Sequence, residues 1–260
     1  MNIAPVASTV PFLSLLLGLL TAGTVQATPT EITVRVLSRD AKFVGSSMGG
    51  AQIVIRDGLT GELLASGLTV GSTGDTKRAM HTDGGRRALL AADDAAAFNV
   101  TLDLAAPRLL EVEARGPMAQ LQSAVRVTAS QWVIPGRHLN GGHGWVLEMP
   151  GFVVDILAPP AHIKLNGAVT EIELRANVTM MCGCPIEPGG MWNADHYEVR
   201  ALVQHDDGRV KEVALRYAGE TSQFAATVPL DLPGLYAVTV YAYDPLTGNT
   251  GLDRTTFLVP

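Results

Sequence analysis

The stretch Thr170–Met180, "TEIELRANVTM", decides the fold class. Ile172, Leu174, Ala176, Val178 and Met180 fall on one side of a period-two register, and Glu171, Glu173, Arg175, Asn177 and Thr179 on the other. A helix would spread those apolar side chains around its circumference. An extended strand turns all of them toward a core and leaves the charged set to solvent. "FNVTLDL" (Phe98–Leu104) and "YAVTVYAY" (Tyr236–Tyr243) alternate in the same way, and few stretches carry a helical period. The chain reads as all-β, organised as antiparallel β-sandwiches.

Outward from that strand, the C-terminal region divides into seven extended segments: Phe152–Leu157, Thr170–Met180, Tyr197–Gln204, Val210–Tyr217, Gln223–Val228, Leu235–Tyr243 and Leu252–Val259. Upstream, "GRHLNGGHGWVLEMPGF" (Gly136–Phe152) is punctuated by glycines and Pro150, and regular strands resume at Phe152. This gives one domain over residues 28–145 and a second over 150–260, each near the ~110 residues common for a sandwich. Antiparallel strands alternate direction, so loops alternate between the two ends. The loop Met181–His196 therefore falls at the end where the linker arrives, within reach of His138, His143 and Trp145. An additional strand before Thr170 would move it to the opposite end.

The first thirty residues carry no charged side chain. Within them "FLSLLLGLLTAG" (Phe12–Gly23) is apolar but shorter than the ~20 residues a spanning helix needs. "VQA" (Val25–Ala27) supplies compact residues at peptidase positions, so residues 1–27 read as a secretory signal peptide cleaved after Ala27. The expectation is a periplasmic or secreted protein with no membrane span after cleavage. The formal charge of −6 and pI near 5.5 argue against a nucleic-acid partner. Two cysteines are too few to build a fold from disulfides, so apolar burial must supply the core.

In the C-terminal region "LDLPGLYAV" (Leu230–Val238) resembles the tyrosine corner of immunoglobulin-like and fibronectin-like domains, with Leu232, Gly234 and Tyr236 at the matching spacing. The resemblance implies that Tyr236 bonds back to the backbone upstream. "VTVYAYDPLTGNTGLDRTTFLV" resembles the last two strands of bacterial immunoglobulin-like modules. In the N-terminal half, "GAQIVIRDGLTGELLASGLTVGSTGDT" (Gly50–Thr76) resembles transthyretin-like or carboxypeptidase-regulatory-like β-sandwiches, and Phe98–Pro117 fits their closing strands. Lys77–Ala97 departs from that pattern and reads as a long polar loop or insertion. Such modules stalk, pack or bind more often than they catalyse, and no Ser/His/Asp set or phosphate-cradling glycine loop appears. The chain is not expected to be an enzyme.

The chemistry gathers in "TMMCGCPIEPGGMWNADH" (Thr179–His196), which holds both cysteines. Thiolate and thioether donors select Cu(I) over hard cations. Cys182 and Cys184 share a side if the strand continues, and Met181, Met191 and His196 are further candidate ligands. The set resembles the Cys-x-Cys and Met/His/Trp chemistry of periplasmic copper handlers. Zinc would call for C-x₂₋₄-C spacing and a second ligand pair. Three readings stand side by side. One is an exported binding or accessory protein with a copper site. The second is a structural or adhesion module that docks to a protein partner in the periplasm or at the cell surface and binds no metal. The third is a thiol–disulfide redox protein, since Gly183 lets an i, i+2 disulfide close. "HLNGGHG" (His138–Gly144) reads as linker, "DPLTGN" (Asp244–Asn249) as a hairpin turn, and Asp206-Asp207 as a solvated loop.

Overall fold

The computed structural model describes residue 1 and residues 26–260, apart from 82, 84, 86, 87 and 167–169. The apolar run Phe12–Gly23, the centre of the expected signal peptide, lies outside the described residues. Two β-sandwiches follow one another along the chain.

The first consists of β1 (Thr28–Ser38), β2 (Gln52–Asp57), β3 (Leu63–Leu68), β4 (Phe98–Leu104), β5 (Arg108–Gly116), β6 (Val125–Val133) and β7 (Trp145–Met149). One sheet has the order β4-β1-β7 and the other β3-β2-β5-β6. Alternation explains the burial: Ile32, Val34 and Val36 of β1 face Ile53, Ile55, Leu110 and Val112 of the opposing sheet, all at most 1% exposed. The β2–β3 hairpin turns where Asp57 accepts hydrogen bonds from the backbone N–H groups of Leu59 and Thr60. β1 pairs with β7 in parallel, Val34 opposite Trp145. The first sandwich thus runs through Met149 rather than ending near residue 145.

The second sandwich holds β8 (Phe152–Ala158), β9 (Ile163–Lys164), β10 (Glu171–Met180), β11 (Glu198–His205), β12 (Val210–Ala214), β13 (Arg216–Tyr217), β14 (Gln223–Pro229), β15 (Gly234–Tyr243) and β16 (Thr250–Val259). Leu174, Ala176, Val178 and Met180 of β10 are buried, as their period demands. The sheets run β13-β14-β10-β8 and β12-β11-β15-β16-β9. In immunoglobulin lettering these are D-E-B-A and C′-C-F-G with β9 added at the edge. The fourth expected strand is split at buried Leu215, where the chain crosses from one sheet to the other. The tyrosine corner is formed: Tyr236 Oη donates to the Leu232 carbonyl at 2.9 Å.

β9 is a strand before Thr170 that the periodicity does not reveal. It pairs in parallel with the far edge of β16 and leaves β8 and β10 directly antiparallel, Met180 opposite Phe152. The loop after β10 therefore stays at the linker end. The described residues of the insertion Lys77–Ala97 make more packing contacts than its polarity implies. The insertion includes α1 (Thr76–His81), whose Met80 packs on the core of the second sandwich, and its Ala91 and Ala95 form a small cluster with Phe43.

Candidate functional site: the interdomain junction

The chain folds tightly after β10. Gly183 N–H donates to Met180 O at 2.8 Å, and Met180 N–H to Cys184 O at 3.2 Å. Cys182 and Cys184 are joined by a disulfide and are 2% and 4% exposed. The residue between them favours glycine, first for its backbone conformation and second for the space around it. Its φ of 76° lies in the left-handed region. A Cβ there would also sit 2.6 Å from the sulfur of Met48, which reaches over from the first sandwich.

The loop then wedges between the domains. Met181 is fully buried and clusters with the core of the first sandwich, including Met149, together with Val153 of β8. Cys182, Cys184, Ile186 and Trp192 pack instead into the core of the second, together with Ala41 of the first. The Trp192 indole N–H donates to the Asp40 carbonyl at 2.9 Å. The strands around the wedge are tied as well. Ser123 Oγ both donates to Val154 O and accepts from Val154 N–H, and Asn249, 1% exposed, accepts from Gly151 N–H. Since buried backbone groups cost about 1–3 kcal/mol when left unpaired, each tie fixes the linker.

The five sulfur and nitrogen donors proposed from sequence do not converge on one point. Cys182 and Cys184 are bonded to each other, Met181 turns into the first core, Met191 is 45% exposed, and exposed His196 has its Nε2 3.4 Å from the Asn193 amide. His138 and His143 serve the first sandwich: His138 Nδ1 accepts from Glu31 N–H, and the His143 ring bonds Ala88 O at 2.7 Å, holding the insertion. Met48 and Asp40 enter the junction without any signal in the sequence, because nothing local marks a residue whose neighbour is more than a hundred positions away. Asp40 has its carboxyl pushed up by burial, and burial first, then the charges of Asp244 and Asp40, push the Tyr197 phenol up to about 12. Asp244 closes a hairpin turn as expected, accepting from Leu246 N–H and Thr247 Oγ1.

At the opposite end of the second sandwich, Asp206 and Asp207 do more than solvate a loop. His205 is 8% exposed, with Nδ1 2.9 Å from the Asp207 carboxylate and Nε2 3.1 Å from Pro233 O and 3.2 Å from Asp206. The Asp207 carboxylate, then the Pro233 carbonyl, raise the imidazole above its ordinary 6.5. Asp207 is held down at about 2, first by the N–H of Arg209 and then by His205. A raised histidine stabilises fully below 6.5 and loses that contribution as pH rises through the higher folded value. The depressed Asp207 contributes above 3.8 and loses it as pH falls through about 2. NMR titration should therefore give His205 a midpoint above 6.5. The melting temperature should fall as pH is raised through that midpoint, and His205→Gln should remove this slope. A midpoint at or below the ordinary value would refute the arrangement.

No protein-family model and no curated protein sequence matches the chain. Several solved structures are similar to it. The fibronectin(III)-like modules of CbhA from Clostridium thermocellum share 16% identity over 80% of this chain and 77% of theirs, with a TM-score of 0.28. The chicken interferon gamma receptor alpha chain shares 11% identity over 90% of this chain and 98% of its own, at 0.35. An engineered protein shares 18% identity over 49% of this chain, at 0.32, and the chain spans 24% of that protein's length. The sandwich architecture rests on the chain's own strand pairing rather than on these likenesses. Among the described residues, no helix is long and apolar enough to cross a membrane.

Proposed function

We propose that the chain is a non-catalytic structural or adhesion module, exported from the cytoplasm, which presents two β-sandwiches in a fixed mutual orientation to a protein partner. The observation that carries this reading is the shared junction: Met181 packs with one core while its neighbours Cys182 and Cys184 pack with the other. A flexible tether would need no such interlock, since domains joined by small polar interfaces move relative to one another by default. In this reading the disulfide pins the wedge. The N-terminal sandwich is proposed to be of the transthyretin-like kind, on its hairpin Gly50–Thr76.

A copper-binding role is the second reading, and Met48 favours it. Its thioether lies over Gly183, between the two cysteines, as a sulfur donor additional to those named from sequence. Cu(I) would need the pair reduced to thiolates, which is also the condition for a redox role. The deciding experiment is elemental analysis of native protein alongside a free-thiol count. No free thiol and no metal, with a partner retained through purification in chelator, supports the structural reading. One copper per chain with two free thiols would overturn it. In the reduced protein, Cu(I) affinity should then fall at least about tenfold in the Cys182→Ser/Cys184→Ser double variant. Equal affinity would end the copper reading.

A further inference from the structure

β6 forms the outer edge of its sheet, and among the described residues no backbone hydrogen bond reaches its free side. It is long and regular, pairing with β5 without a register shift from Val125 to Val133. It holds no proline or glycine and a single charge, Arg126. Natural sheets protect such edges with bulges, proline, inward charges or short strands. Several other edges of this chain fit that rule better. β9 and β13 are two-residue strands, β12 carries Lys211 and Glu212, and β8 has a bulge in its pairing. β6 keeps its unpaired edge and adds two exposed apolar side chains at its end, Trp132 at 59% and Ile134 at 45%.

We infer that β6 pairs with β6 of a second copy, antiparallel about a two-fold axis at Ala129. The sequence "VRVTASQWV" is self-complementary in that register. Arg126 falls opposite the copy's Trp132, Thr128 opposite Ser130, and Ala129 opposite itself. Arg126, Thr128, Ser130 and Trp132 all lie on the exposed side of the strand, so these pairs meet on one face. A guanidinium over an indole is an attractive pair, and the two-fold axis supplies it twice. No like charges are brought together.

A second observation comes from the other end of the strand. A groove of about 660 Å³ opens between the domains beside Val125, with Ala124, Leu202, Gly251 and Leu252 supplying apolar lining and Tyr241 and Arg254 polar groups. The same register carries the copy's Ile134 to Ala124, at the mouth of this groove. The exposed apolar end of one strand thus meets the apolar hollow at the start of the other. The interface is isologous and closes as a dimer rather than growing.

Sedimentation equilibrium of the full chain is the test. Wild type should be a concentration-dependent dimer. Thr128→Lys/Ser130→Lys sets like charges opposite across the axis and should weaken dimerisation about tenfold. Within each chain those positions face Glu113 and Glu111 on β5, so the fold tolerates the change. Thr128→Lys alone sets each lysine opposite Ser130 of the copy and beside Glu113 of its own chain, and should keep the dimer. Trp132→Ala should weaken it. Circular dichroism of each variant checks that the sheets are intact. A wild type that stays monomeric at every concentration overturns the inference. So does a dimer insensitive to these changes, or one lost equally in both charge variants.

Discussion

Met181→Ala should lower the unfolding free energy by about 2–5 kcal/mol, and the loss should be felt in the first sandwich although residue 181 follows a strand of the second. The side chain is fully buried and packs with the core that contains Val34, Val36 and Met149. Truncation leaves a cavity that the loop cannot collapse to fill, because Cys182 and Gly183 are held on the other side by the second core and by Met48. The cavity cost then adds to the lost transfer free energy. Hydrogen exchange should show faster opening of β1 and β7, and urea unfolding should show both domains weakened in a single transition. Met191→Ala, in the same loop but exposed, serves as control and should change stability by less than about 0.5 kcal/mol. Faster exchange confined to β10, β11 and β15 would mean that the interlock does not couple the domains.

How far the sequence carries differs from one element to the next, for a physical reason in each case. Period-two alternation marks β10 because one face is buried and the other wet, and the local pattern records that asymmetry directly. Tyr236 and Leu232 lie four residues apart, so the corner they form is a local motif too. β9 is missed because two residues cannot show a period, and its partner in β16 is about ninety positions away. The parallel pairing of β1 with β7 has the same difficulty, since register between distant strands is set by packing and not by any single segment. At the candidate site, strand polarity alone brings the cysteine loop to the linker end. What surrounds it was not legible: Trp192 finds Asp40 across 152 positions, and Met181 and Cys182, adjacent in sequence, serve opposite cores. The redox state of the cysteines also has no sequence signature, because an i, i+2 pair around glycine is compatible with thiols and with a disulfide. His205 escaped notice because a histidine before two aspartates looks like surface until the Pro233 carbonyl closes over it.

Gly251→Ala should cost about 3 kcal/mol, combining overpacking with the loss of nearby hydrogen bonds. Its backbone is not in the left-handed region, so torsional strain plays no part. The reason is close approach: a Cβ would press on the Phe152 carbonyl oxygen and lie 2.8 Å from the carbonyl carbon. Phe152 cannot retreat. It is 1% exposed, stands opposite Met180 in the sheet, and meets Tyr197 edge-on with centroids 5.1 Å apart. The strain must therefore pass into β16 or β8 as a whole. Two bonds tie these segments on either side of the contact, Asp253 Oδ2 accepting from Ile156 N–H and Asn249 Oδ1 from Gly151 N–H, both at 2.9 Å. Levering the strands apart should expose both amides to exchange while leaving the β11–β15 amides protected. Gly248→Ala is the matched control: φ there is 75° but no atom lies within 4 Å of a new Cβ. It should cost only the left-handed penalty of about 1–2 kcal/mol and leave Gly151 and Ile156 protected. If Gly251→Ala proves as stable as wild type, β16 and β8 do not meet as tightly as their geometry requires, and the anchoring of the linker to the second sandwich would have to come from the Ser123–Val154 contact instead.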